Sequence, residues 1–402
     1  MVKEIEGGVT AAQGFRAAGI HAAIKKRKKD LAIVVSDQPA VVAGVFTKNK
    51  VVAAPLVVDK AQLEKSPRAR AIVVNSGNAN ACTGERGMND AWCMVNTAAK
   101  ALALPADEVL VSSTGVIGQT LPMDNVVSGI NTAAPLLSRE GHADAAEAIM
   151  TTDTFVKEAA VTVNLAGVDV AIGGMAKGSG MIAPNMATML AFVTTDARLS
   201  PAVMQGALRL AADRSFNRIS VDGDMSTNDM VLLMANGAAG GPEITSTSDP
   251  SYGAFYDALE HVLTRLSKMI VMDGEGATKF VEVRVVEAAS EEAAAQAARA
   301  IANSSLVKTA INGEDANWGR ILAAVGYSGI DFNPDDTEIS FGGLPILRRN
   351  YAVDFSEEEA KKVLSEKEIV ITVSLHQGNA SATFWTCDLS KAYVDINANY
   401  RT

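Results

Sequence analysis

One stretch of the chain concentrates residues that could act on an acyl group without a histidine. In Lys177-Gly178-Ser179-Gly180-Met181-Ile182-Ala183-Pro184-Asn185-Met186-Ala187-Thr188-Met189-Leu190-Ala191-Phe192, a cation and a glycine-bearing turn lead to a threonine behind a small residue. A hydroxyl nucleophile needs a base, and an α-amine can serve when the nucleophile is itself the first residue of a chain. That requires internal cleavage before Thr188. Glycines and a proline can hold a strained turn, and Ala187 leaves its carbonyl open to the Thr188 hydroxyl. An N-to-O acyl shift followed by hydrolysis would free the Thr188 amine. The ordinary pKa of such an amine, about 7.7–8.0, suits a general base near neutral pH. On spacing alone, a glycine-rich turn feeding a buried strand is the plainer reading.

Other chemistries have less to build on. His21, His142, His261 and His376 are scattered, and none sits in a Ser, Cys or metal-ligand motif, which argues against a histidine-based triad. No GxxxxGK[ST] occurs, and the Gly-rich stretches 77–84 and 173–180 lack dinucleotide-binding spacing. Cys82, Cys93 and Cys387 are an odd number without CxxC spacing, so neither a disulfide framework nor structural zinc is expected. Asp222 and Asp224 do not meet the EF-hand pattern. They are assigned to structure, and no metal is expected.

The elements that must position the candidate segment are short β-branched runs alternating with helix-length amphipathic stretches, the punctuation of an α/β or α+β protein. Between Glu85 and Leu104, the residues Ala91, Met94, Val95, Ala98 and Leu102 recur at helical spacing and leave Asn89, Asn96 and Lys100 for the other face. Val109-Leu110-Val111 enters a small-residue loop, 112–118, before a helix near Met123. Alternation at Val161, Val163 and Leu165, an Ala166-Gly167 turn, then Val168, Val170 and Ile172 predict a β-hairpin. Further helices are expected over 201–214, 254–272, 291–302 and 357–364, with strands over 230–234, 281–286 and 369–375. A domain boundary is expected between 278 and 279.

Length and composition bound the class. The chain has 402 residues, 48% of them apolar and 20% charged; that is globular composition, against disorder, collagen-like repeats and coiled coil. Thirty-six Lys and Arg face 46 Asp and Glu, a formal net charge of -10. With no basic run longer than Lys25 to Lys29, the balance argues against a nucleic-acid partner. No export signal is read at the N-terminus, and the uncharged stretch 178–195 is too interrupted by Gly, Pro, Asn and Thr to span a membrane. A reducing cytoplasm is the expected compartment.

Lys177 to Met189 resembles the KGSGMIxPxMATM signature of the ornithine acetyltransferase family, the glutamate N-acetyltransferases of arginine biosynthesis. Five further segments are similar to the same family in order along the chain: 75–84 (Asn-Ser-Gly-Asn-Ala-Asn-Ala-Cys-Thr-Gly), 113–118 (Ser-Thr-Gly-Val-Ile-Gly), 220–224 with 226–229, 273–279 (Asp-Gly-Glu-Gly-Ala-Thr-Lys) and 312–320 (Asn-Gly-Glu-Asp-Ala-Asn-Trp-Gly-Arg). The resemblance implies a precursor cut between Ala187 and Thr188 into an α chain, 1–187, and a β chain, 188–402. It implies a ping-pong reaction in which Thr188 takes acetyl from N-acetylornithine, releases ornithine and acetylates glutamate. Acetyl-CoA stays open as a second donor, with the bifunctional type favoured, and no cofactor is called for.

The resemblance also carries residue roles. Thr114 and Gly115 match the oxyanion hole, which on their own would read as an ordinary turn. Lys177, Thr151 (with Thr152 as its neighbouring alternative), Glu275, Asn397 and Thr402 match substrate contacts alongside Thr188. The implied fold is a sandwich-like α/β, N-terminal-nucleophile-type domain over 1–278 and a smaller C-terminal α/β domain over 279–402. The implied assembly is a heterotetramer of two α and two β chains, acting on small molecules without membrane or nucleic acid. Two other readings compete: an N-terminal-nucleophile amidase or aminopeptidase, in which water captures the acyl-enzyme, and a binding protein that never cleaves.

Overall fold

Runs such as Ile72-Val73-Val74 and Val109-Leu110-Val111 are apolar without interruption, as a strand covered on both faces requires. In the computed structural model, which describes residues 2–183 and 189–398, they lie inside a nine-stranded sheet. Its strands are β1 (Lys3–Ile5), β2 (Phe15–Ile20), β3 (Leu31–Phe46), β4 (Arg68–Asn78), β5 (Val109–Val116), β6 (Lys157–Leu165), β7 (Val168–Lys177) and β8 (Leu190–Thr195). After the short β9 (Ile219–Ser220), which belongs to another sheet, β10 (Met230–Ala235) completes it. The order is β1-β6-β7-β8-β10-β3-β4-β5, with β2 also paired to β3. Two pairs are parallel, β8 with β10 and β4 with β5. Thus β8 and β10 occupy the middle of the sheet, between β7 on one side and β3 on the other.

Period two sorts the side chains to opposite faces. Val34, Ile72 and Leu110 join Phe192 and Leu232 in one cluster, whereas Ile33, Val73 and Val111 join a second cluster on the other face. That second cluster takes in α2 (Gly84–Leu102), which follows α1 (Ala54–Lys65). Ala91, Met94, Val95 and Ala98 are buried and Asn89, Asn96 and Lys100 exposed, as their spacing predicts. The hairpin of β6 and β7 pairs Leu165 with Val168. Both turn residues, Ala166 and Gly167, have positive φ, the geometry whose twist matches antiparallel strands. Helices α3 (Met123–Ala133), α4 (His142–Ala148), α5 (Pro201–Arg214) and α6 (Tyr252–Met272) complete this part.

A second sheet runs in the order β13-β12-β14-β11-β15-β9, built from β11 (Phe280–Ala288), β12 (Glu338–Phe341), β13 (Leu344–Leu347), β14 (Glu368–Ser374) and β15 (Ala380–Cys387). Its core gathers Val281, Val283 and Val285 with Ile371, Phe384 and Ile301 of α7 (Glu291–Asn303). Helices α8 (Ser305–Asn312), α9 (Trp318–Gly326), α10 (Glu357–Leu364) and α11 (Lys391–Ala398) follow. Ser290, Ser304, Asn317 and Ser356 cap α7 to α10 by accepting a backbone N–H of the first turn. The fold is mixed α/β, in two compact units: Met1–Asn217 with Asp224–Ile270, and Arg218–Gly223 with Val271–Thr402. The units part at Ile270/Val271 rather than at 278/279, and 218–223 goes with the second unit because β9 pairs with β15. No helix among the described residues is long and apolar enough to cross a membrane.

Candidate active site

Thr114 and Gly115 stand at the end of β5, in register with Ser76 and Gly77 of β4. The two strands converge there. A Cβ on Gly115 would lie 2.3 Å from the Gly77 carbonyl carbon and 2.5 Å from the Asn78 nitrogen, and Gly115 has φ +134°; no side chain fits. A buried polar network holds the surrounding backbone. Ser113 Oγ donates to Asn75 Oδ1 at 2.6 Å, Asn75 Nδ2 to the Asn78 carbonyl at 2.9 Å, and Asn228 Nδ2 to the carbonyls of Ala79 and Ser113 at 2.6 and 2.8 Å. Networks of this kind fix backbone groups in one arrangement because each broken bond leaves a buried polar atom unpaired.

Lys177, the last residue of β7, is buried, and its Nζ donates to Thr114 Oγ1 at 3.2 Å. The next peptide is anchored as well: Gly178 N–H donates to Asp153 Oδ1 at 2.7 Å. Asp153 Oδ2 accepts the Thr151 N–H at 2.8 Å, and Lys157 Nζ donates to Oδ1 at 2.7 Å. Burial works to raise the Asp153 pKa. The charges of Lys157 and Lys177, with hydrogen bonds from Lys157 and Gly178, outweigh it and hold the carboxyl at about 2. Asp153 is therefore an anion that ties the Thr151 loop to the end of β7. Through it and Lys177, the structure brings Thr114, Gly115, Thr151 and Lys177 together in the first unit.

Asp229 lies at the start of β10, where Met230 N–H donates to the Met189 carbonyl at 3.1 Å and Thr47 N–H to the Asp229 carbonyl at 3.0 Å. Burial pushes its carboxyl well above the usual range, against hydrogen bonds from the Ser226 hydroxyl and the Met189 amide and the charge of Lys177. Its Oδ2 accepts no hydrogen bond among the described residues. A buried carboxyl of raised pKa and a cation thus flank the same region. Asp153, Lys157, Asn228 and Asp229 were not among the expected site residues. The signal available was the segment 226–229, which carries Asn228 and Asp229; nothing in the type or spacing of Asp153 marks it.

Glu275 and Asn397 belong to the second unit, and they meet. Asn397 Nδ2 donates to Glu275 Oε2 at 2.8 Å. Glu275 is buried in the turn after α6, where Ala277 N–H donates to the Gly274 carbonyl at 2.8 Å. Asp388 anchors the far side of that turn: it accepts Thr278 N–H at 2.7 Å, Thr278 Oγ1 at 2.6 Å, Lys279 N–H at 2.9 Å and Asn312 Nδ2 at 2.6 Å. This carboxylate joins the segments 273–279 and 312–320, as does the pair of Lys279 Nζ with Glu314 Oε1 at 3.2 Å. The terminal stretch, which on its own reads as a fraying tail, is helical over Lys391–Ala398 and is tied down by Ser390 Oγ donating to the Gly276 carbonyl at 2.5 Å. Asp222 accepts the Tyr393 hydroxyl at 3.3 Å. Ala187, Thr188 and Thr402 lie outside the described residues.

Comparison with known proteins adds sequence kinship to this geometry. Residues 16–402 match the family model described as ArgJ family. The arginine biosynthesis bifunctional protein ArgJ of Symbiobacterium thermophilum is 56% identical over 401 residues, 99% of each chain. That of Caldanaerobacter subterraneus subsp. tengcongensis is 51% identical over 402 residues, again 99% of each. Among solved structures, the ornithine acetyltransferase of Mycobacterium tuberculosis, in complex with ornithine, is 42% identical, covers 46% of this chain and 100% of its own, and has a TM-score of 0.44. With more than half of the residues identical from end to end in both relatives, the chain belongs to the ArgJ family.

Proposed function

We propose that the chain is an acetyltransferase of arginine biosynthesis that cuts itself between Ala187 and Thr188 and then carries acetyl from N-acetylornithine to glutamate on Thr188. The observation that carries the reading is the joined set Thr114, Lys177, Asp153 and Thr151, gathered at the end of β7, the strand that precedes Thr188 in the chain. In the maturation step the Thr188 hydroxyl attacks the Ala187 carbonyl, the C–N bond breaks, and the hydroxyl proton ends on the freed nitrogen; water then releases the Ala187 carboxylate. In the first half-reaction the Thr188 amine takes the proton of its own hydroxyl and passes it to the departing ornithine amine; in the second it takes a proton from the attacking glutamate amine and returns it to the Thr188 oxygen, and in both, charge develops on the acetyl oxygen. Donors at Thr114 and Gly115 meet that charge, and a donor of this kind is typically worth about 2.7–4 kcal/mol of transition-state stabilisation.

Lys177 supplies a cation for a substrate α-carboxylate, and Glu275 a carboxylate for a substrate ammonium. Relatives bear the word bifunctional in their names, and acetyl-CoA as a second donor for this chain belongs to the proposal, as do a cytoplasmic setting, the absence of a bound cofactor and an assembly of two α and two β chains. Intact-mass spectrometry on freshly purified protein tests the central bond. The expected result is two species, residues 1–187 and 188–402, with Thr188→Ala remaining one chain and losing transfer together with cleavage. An uncut Thr188→Ala that still transfers acetyl would remove Thr188 as nucleophile.

A further inference from the structure

The basic run 25–29 holds five cations whose surroundings differ. Lys26, Arg27 and Lys28 are exposed, and Lys29 pairs with Asp144 at 2.5 Å and Glu147 at 2.9 Å. Lys25 turns inward. Its backbone N–H donates to Asp30 Oδ2 at 2.8 Å, and its stem crosses Gly77, where a Cβ would stand 2.6 Å from Lys25 Cγ. Its Nζ donates to the Met150 carbonyl at 2.9 Å. Among the described residues, no carboxylate lies within ion-pair distance of that ammonium. Burial accordingly draws its pKa below the usual lysine range, with the more distant charges of Asp30, Asp153 and Glu147 opposing.

The two ends of this side chain touch the two edges of the site. Gly77, under the stem, is in register with Gly115, and Met150, under the head, precedes Thr151. An ammonium has three N–H donors, and here one of them meets a neutral carbonyl. What remains is a half-buried positive charge whose natural complement is an anion from outside the protein. Lys177 answers one carboxylate, the one that every amino-acid substrate carries. Glutamate carries a second, while the side chain of the acetyl donor ends in an ammonium and gains nothing from another cation.

Resting on the transferase reading above, we infer that Lys25 is a specificity-determining residue that binds the side-chain carboxylate of the acceptor, so that the site selects a dicarboxylic amino acid. Lys25→Met keeps the stem over Gly77 and removes the charge. Acetyl transfer from N-acetylornithine is measured to glutamate and to 2-aminobutyrate, which lacks the second carboxylate. The loss of one charge-assisted hydrogen bond predicts a fall of about ten- to a hundredfold in kcat/KM for glutamate, carried by KM. Transfer to 2-aminobutyrate is expected to change little, so acceptor discrimination collapses. Lys25→Arg should restore part of it, and Lys26→Met, at the exposed neighbour, should leave it as in the wild type. Lys25→Gln, assayed the same way, covers the case in which the methionine variant fails to fold. A wild-type ratio of the two acceptors in both neutral variants, or a parallel loss of both acceptors, overturns the assignment. A wild-type protein that acetylates neither acceptor overturns the transferase reading, and the subsite with it.

Discussion

Asp153 illustrates how much one side chain can hold. Its two oxygens reach a lysine, a loop amide and the amide after Lys177, and the carboxyl stays ionised down to about 2 against an ordinary value of 3.8. A depressed carboxylate pKa adds stability above the unfolded value, and that stability is lost as the pH falls through the folded one. The difference corresponds to about 2 kcal/mol. Asp153→Asn is therefore expected to lower stability at neutral pH by about 3–5 kcal/mol, since it breaks a buried pair, and to flatten the acid limb between about pH 4 and 2. Denaturant unfolding of both proteins across pH checks this; equal slopes in that window would assign the acid sensitivity elsewhere. Residues like this one are hard to read from a sequence. Thr114, Gly115, Thr151 and Lys177 come from three separate places in the chain, and only motif resemblance could gather them. Asp153 sits in no motif, and its role exists only once β6 and β7 are paired.

Elements were more legible than contacts. The stripe of α2, the Ala166-Gly167 hairpin and the helices at 201–214 and 291–302 follow from periodicity, capping and turn chemistry, which act over a few residues. The register of β8 beside β10 does not, because some 35 residues of other structure separate the two strands and no local preference reports on it. The helix over Lys391–Ala398 is a similar case: few of its side chains are shielded, and bonds from Asn397 and Ser390 to the 273–279 turn hold it. Where the pattern is clear, the energetics follow. Met94 on α2 is fully buried and Asn96 on the same helix is exposed. Met94→Ala should cost about 2–5 kcal/mol, while Asn96→Ala should stay within about 0.5 kcal/mol. Thermal unfolding of the two variants distinguishes them, and equal melting temperatures would mean that α2 contributes little to the core.

For the whole molecule, the order of the central sheet decides what a break at residue 187 can do. Strands β8 and β10, from the later part of the chain, lie between β7 and β3, from the earlier part, and are hydrogen-bonded to both. Residues 1–187 alone would keep β1-β6-β7 and β3-β4-β5 as two separate sheets, each with a bare apolar edge, a ready template for aggregation. Produced separately, the segments 1–187 and 188–402 should each be insoluble or unfolded. Produced together in one cell, they should co-purify as one soluble species; soluble, folded 1–187 on its own would contradict this. The gene could accordingly be divided at that codon and its halves placed under independent control, each inert until it meets the other, so that a metabolic activity would report on the encounter of two transcripts.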